Sequence, residues 1–98
     1  MIMSAHEMKH KNRAFILIDI KPGEEKKILE QLMKYDEVIE AHIVLGQEFG
    51  LIAVLEIQRE ILETPQEKIL KIVVEKIRKT RGVRDTKTII SAFSLTKK

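Results

Sequence analysis

The run Ala14 to Ile20 carries apolar residues on both of its sides, and this constrains the fold more than any other feature of the chain. Extended, it places Ala14, Ile16, Ile18 and Ile20 on one face and Phe15, Leu17 and Asp19 on the other. One layer of helices covers only one face of a sheet. A half-solvated strand would carry polar residues on the second face, so this run predicts a second subunit laid against it.

The rest of the pattern says what surrounds that strand. Lys21-Pro22-Gly23 stops it, since Pro22 has no N–H for a ladder and Gly23 permits a turn. A helix is predicted from about Glu24 to Tyr35, with acids at its positive end and the apolar stripe Ile28, Leu29, Leu32, Met33. A second strand, Val38 to Leu45, alternates Ile39, Ala41, Ile43, Leu45 against Val38, Glu40, His42, Val44. The connection Gly46-Gln47-Glu48-Phe49-Gly50 leads into a third strand, Leu51 to Gln58. Thr64-Pro65-Gln66-Glu67 carries the residues of a capping box and opens a second helix, whose expected apolar face is Ile69, Leu70, Val73, Val74, Ile77. Gly82 follows that helix, and a fourth strand is expected from about Asp85 to Leu95. The order strand-helix-strand-strand-helix-strand predicts an α+β, ferredoxin-like βαββαβ fold: a four-stranded antiparallel sheet with two helices on one face.

On this reading the open face comprises Phe15, Leu17, Asp19, Val38, Glu40, His42, Val44, Ile52, Val54 and Glu56. Its mixed character suits a sheet-to-sheet homodimer, a dimeric α+β barrel with a partly polar cavity or rim. Residues 1–13 lack periodicity and are expected to form a flexible N-terminal arm, leaving residues 14–98 as one domain. At 98 residues the chain builds one compact core and gains stability from association. It has no Cys, which excludes disulfides, thiol catalysis and thiolate metal sites. No apolar run approaches the roughly 20 residues that span a bilayer, and no signal peptide is legible, so a cytoplasmic setting is expected. The net charge of +3 is modest and largely interspersed. The exception is the basic stretch Lys76, Arg78, Lys79, Arg81, Arg84, Lys87, where half of the cluster reads as helix capping. Without interleaved aromatics it is a poor nucleic-acid platform.

From Ala14 to about Ser94 the sequence resembles the ligand-binding domain, the domain for regulation of amino-acid metabolism, of the Lrp/AsnC family of transcription regulators. The resemblance rests on Ala14-Phe15-Ile16-Leu17-Ile18 followed by Pro22-Gly23, the hairpin Gly46 to Leu51, and Gly82-Val83-Arg84-Asp85-Thr86-Lys87-Thr88. It implies dimers packed face to face, further assembly into rings, and amino-acid or related effectors bound between subunits. Only thirteen residues precede the first strand, so a stand-alone version without a helix-turn-helix domain is expected. Such a module binds no DNA by that motif and acts on its own assembly or on full-length regulators bearing the same domain.

The implied ligand-binding residues are Gly46, Gln47, Glu48, Phe49 and Gly50 in the hairpin, with Thr86 and Thr88 before the fourth strand. Freed backbone amides hold a carboxylate and hydroxyls donate or accept beside it. Turn geometry and β propensity explain the same glycines and threonines equally well. Where the family commonly places an aspartate before the third strand, this chain has Gly50. That removes a partner for an effector's ammonium, and Glu48 is the substitute within the loop.

Sharper motifs fare less well. His6-Glu7-Met8-Lys9-His10 matches H-E-x-x-H, but it lies in a polar stretch with no apolar face to hold a helix, so neither zinc nor another cofactor is expected. His42 with Glu40, Asp19 and Glu56 makes a carboxylate-imidazole set, and related dimeric α+β barrels include small monooxygenases. An enzyme using the open face around His42 is therefore the alternative to a non-enzymatic effector-binding module.

Overall fold

The computed structural model describes residues 5–7, 11–45, 49–58, 64–92 and 95–97. Strand β1 is Ala5–Glu7, β2 Lys11–Ile20, β3 Val38–Ile43, β4 Leu51–Gln58, β5 Val83–Ile90 and β6 Leu95–Lys97; the helices are α1 Glu25–Leu32 and α2 Pro65–Ile72. The main sheet has the order β3-β4-β2-β5 with every neighbouring pair antiparallel. That is the expected ferredoxin-like arrangement, with its two doubly apolar strands, β2 and β4, at the centre.

The core lies between sheet and helices. Ile16, Ile18, Leu51 and Leu55 from the sheet meet Ile28, Leu32, Ile69 and Ile77 from the helical layer, all fully buried. Fully burying a side chain of this size contributes about 1.5–3 kcal/mol. Helix α2 starts as its capping residues require: Thr64 Oγ1 accepts from the Glu67 N–H at 3.2 Å, with Pro65 in the first turn. It ends as one π-helical turn, Val73–Ile77, in which the Arg78 N–H bonds the Val73 carbonyl at 2.8 Å. Ile72 turns inward, whereas Leu70 and Val74, expected on the apolar face, are exposed. None of the helices described is long and apolar enough to cross a membrane.

Two expectations need correction. Val38 belongs to the core, not to the open face: it is 5% exposed and pairs with Leu55. The register then jumps so that Glu40 pairs with Val54, leaving Ile39 as the extra residue of a β-bulge. One inserted residue shifts a two-residue alternation by one, so Val38, before it, lies on the face opposite to the one expected, while Glu40, Ala41 and His42, after it, keep theirs. The second correction concerns residues 1–13. Lys11, Asn12 and Arg13 belong to β2, and Ala5–Glu7 pairs antiparallel with Leu95–Lys97, so His6 and Glu7 lie in a strand rather than a helix. Residues 8–10 of that motif lie outside the described residues.

The helices are tied to each other at one end. The Lys76 ammonium contacts both oxygens of Glu37, at 2.9 and 3.1 Å, and lies 5.9 Å from the centre of the Tyr35 ring. Burial works to raise the pKa of Glu37, but bonding to Lys76 overrides it and holds the carboxyl below its ordinary 4.5. The same hydrogen bond raises Lys76 above its ordinary 10.5 against a smaller effect of desolvation. Stabilisation through Glu37 is complete above its unfolded pKa and is lost as pH falls through the lower folded value. For Lys76 it is complete below the unfolded pKa and is lost as pH rises through the higher folded value. Glu37→Gln should therefore lower the urea midpoint at pH 7, by an amount that shrinks as the pH is taken down through the acid range below 4.5. A gap that stays constant as the pH falls would show that the pair does not act through charge.

Candidate functional site

One end of the sheet gathers the features from which a ligand site is built. There β2 and β3 finish, β4 and β5 begin, and α1 presents its first residue. A cavity of about 340 Å³ opens among them, lined by Asp19, Ile20, Pro22, Glu25, Ile43, Val44, Leu45, Phe49, Gly50 and Arg84. The backbone fixes its wall: the Val44 N–H bonds the Gly50 carbonyl at 2.9 Å, and the Gly50 N–H bonds the Ile18 carbonyl at 3.1 Å. At Gly50 a Cβ would come within 3.3 Å of Ile20 Cγ1, so Gly50 lies directly against the β2 terminus.

The polar groups form two sets. Arg84 donates to Asp19 Oδ1 at 3.3 Å, and Glu25 lines the same cavity. Asp19 stands directly opposite Asp85 across β2 and β5, a like-charge pairing that the bond from Arg84 to Asp19 offsets. A bulge at Asp19/Ile20 accompanies this arrangement. Ile20, Ile43, Val44, Leu45 and Phe49 supply apolar wall, and Leu45 is wholly exposed in the single chain. The cavity thus offers a guanidinium, two carboxylates and an apolar surface within one opening.

Phe49 and Gly50, two of the residues expected from sequence, line this cavity. Gly46, Gln47 and Glu48 lie outside the described residues. Thr86 and Thr88 stand further along β5, opposite Ile18 and Ile16 on the helix-facing side, and do not line it in the single chain. Sequence reading missed Arg84, Asp19 and Glu25 as site residues. The usable signal was positional: all three sit where a strand or helix begins or ends beside the hairpin.

On the open face, cross-strand pairs align Arg13 with Glu56, Phe15 with Val54 and Ile89, and Leu17 with Ile52 and Lys87. Phe15 and Ile89 are exposed, while Val54 is covered by its neighbours. Glu56 accepts from Arg13 Nε at 3.1 Å and Asp19 from Arg84. Two of the three carboxylates expected to join His42, Glu56 and Asp19, are therefore engaged in ion pairs, and among the described residues no three such side chains converge as a metal site.

Fold and site define a ferredoxin-like α+β module with a polar-and-apolar cavity beside its β3–β4 connection. No family model matches the chain. A curated relative, an uncharacterized HTH-type transcriptional regulator from Pyrococcus furiosus, is 33% identical over 85 residues. The alignment takes in 84% of this chain and 52% of the relative, so the chain spans about half the length of the curated relative it matches. Among solved structures, FFRP-DM1 is 31% identical with a TM-score of 0.67, the match covering 82% of this chain and 97% of that one. A hypothetical protein from Pyrococcus horikoshii is 30% identical, also at 0.67, covering 85% and 92%. The fold extends to Escherichia coli AsnC at 21% identity and a TM-score of 0.70, over 83% of this chain and 50% of AsnC. The chain belongs to the Lrp/AsnC, or feast/famine, family of regulators.

Proposed function

We propose that this chain is an effector-binding regulatory module, not an enzyme, that takes an amino acid or a closely related metabolite in the cavity beside the hairpin. The observation that carries the reading is the opposition of charges there. Arg84 is a fork for a carboxylate, Asp19 and Glu25 are partners for an ammonium, and Ile20, Val44 and Phe49 meet an apolar side chain. A zwitterion with a hydrophobic group matches all three. A fold neighbour from Mycobacterium tuberculosis, a feast or famine regulatory protein, was solved in complex with L-methionine, which supports an effector of this class.

The open sheet face supports a homodimer, and the exposed Leu45 at the cavity rim supports completion of the pocket by a neighbouring subunit or ring contact. An effector held between subunits favours the assembled state by its differential affinity, and so controls association with itself or with full-length regulators carrying the same domain. This role belongs in the cytoplasm, and it needs no metal or other cofactor.

The test is a thermal-shift screen of the twenty amino acids on protein whose mass is followed by light scattering. A dimer or larger species with its Tm raised by one amino acid is expected. Gly50→Leu, whose side chain would start 3.3 Å from Ile20 at the cavity wall, should weaken that effector at least about tenfold, equivalent to about 1.4 kcal/mol. Indifference to all twenty would overturn the amino-acid reading, and unchanged affinity in the variant would move the site elsewhere.

A further inference from the structure

A second cavity, of about 330 Å³, lies between α1 and the turn joining α2 to β5. Its charged lining is Lys27 from α1, Lys79 and Arg81 from the turn, and Glu24. Among the described residues none of the three cations forms an ion pair. Dipole capping accounts for Lys79 and Arg81, which follow α2, but not for Lys27 on the neighbouring helix.

The turn carrying those cations is held firmly. Gly82 has φ +96°, and its Cα presses so closely on α1 that a Cβ would sit 2.7 Å from Ile28 Cδ1. Its carbonyl accepts from the Lys21 N–H at 2.9 Å. Thr80, nearly fully buried, donates to the Lys76 carbonyl at 2.9 Å and lies 2.8 Å from the Tyr35 hydroxyl. The Tyr35 hydroxyl also donates towards the Lys76 carbonyl at 3.3 Å, so either hydroxyl of the Tyr35–Thr80 pair serves as donor, and in both arrangements the Tyr35 oxygen keeps a lone pair for another hydroxyl.

We infer that this cavity is a second ligand site, for a small phosphorylated sugar or polyol. Three cations against one carboxylate leave two positive charges, matching a phosphate monoester. Arg81 supplies a planar fork and Lys27 and Lys79 supply point charges for its oxygens. The Tyr35 oxygen accepts from a ligand hydroxyl. The site shares no residue with the hairpin cavity, so its occupation is an input separate from the amino-acid site.

The experiment is calorimetric titration of the full chain with ribose 5-phosphate, inorganic phosphate, succinate and a single-stranded oligonucleotide at constant ionic strength. Saturable binding of ribose 5-phosphate is expected, weakened at least about tenfold in Lys79→Gln/Arg81→Gln and unchanged in Lys34→Gln and Gly50→Leu. Tyr35→Phe should weaken ribose 5-phosphate more than inorganic phosphate. The assignment fails if nothing saturates, or if Lys34→Gln weakens binding as much as the double variant. It fails equally if succinate binds as tightly as ribose 5-phosphate, or if the oligonucleotide competes as the tighter ligand.

Discussion

Gly82→Ala should destabilise the fold by about 2–5 kcal/mol, combining left-handed strain of roughly 1–2 kcal/mol with overpacking of roughly 1–3 kcal/mol. The added Cβ would lie 2.7 Å from Ile28 Cδ1 and 3.0 Å from Glu24 Oε2, and Ile28 is itself 1% exposed with little room to retreat. Gly23 provides the control. Its φ of +90° is nearly the same, but nothing lies within 4 Å of the position a Cβ would take. Gly23→Ala should therefore cost only the strain, about 1–2 kcal/mol. Urea unfolding of both variants at matched concentration separates the two contributions, since any effect of assembly is then common to both. Equal losses would mean that the turn is not pressed against α1 as described.

The second large effect is expected on the open face. If the proposed dimer forms through the open face, Phe15→Glu should convert it to monomers, weakening association at least about a hundredfold, or about 2.7 kcal/mol, because it would place a carboxylate within the apolar part of that face. Phe15 is 37% exposed in the single chain, so the monomer should keep its far-ultraviolet circular dichroism. Leu70→Glu is the matching control: it is more exposed, at 54%, and lies on the helical layer. Light scattering should give monomer mass for the first variant and wild-type mass for the second. A dimeric Phe15→Glu, or a monomeric wild type, would remove the sheet face as the interface.

The sequence made the sheet legible because its central strands repeat with period two and its helices with their own spacing. Thr64-Pro65-Gln66-Glu67 marked the start of α2 to the residue. What escaped was whatever breaks periodicity. The bulge at Ile39 carries no glycine or proline to announce it, and it reversed the side assigned to Val38. In the second helix the buried stripe runs through Ile69, Ile72, Val73 and Ile77, which leaves Leu70 and Val74 outside. Pairing between the chain's two ends, Ala5–Glu7 with Leu95–Lys97, depends on segments too short and polar to show alternation. At the site, Phe49 and Gly50 were legible through the hairpin. Arg84, Asp19 and Glu25 were not, because what brings them together is the meeting of strand ends far apart in the chain.

The bulge also bears on how such molecules meet. Strand β3 forms one margin of the main sheet and β5 the other, and a break in register accompanies each: at Ile39 on one side, and at Asp19/Ile20, where β2 runs beside β5, on the other. A strand arriving edge-on needs an uninterrupted ladder of donors and acceptors, and neither margin offers one along its full length. Open-ended stacking into fibres is discouraged at both borders. The broad, partly apolar face is left as the favoured route to self-association, and a face laid upon its own copy closes after two subunits.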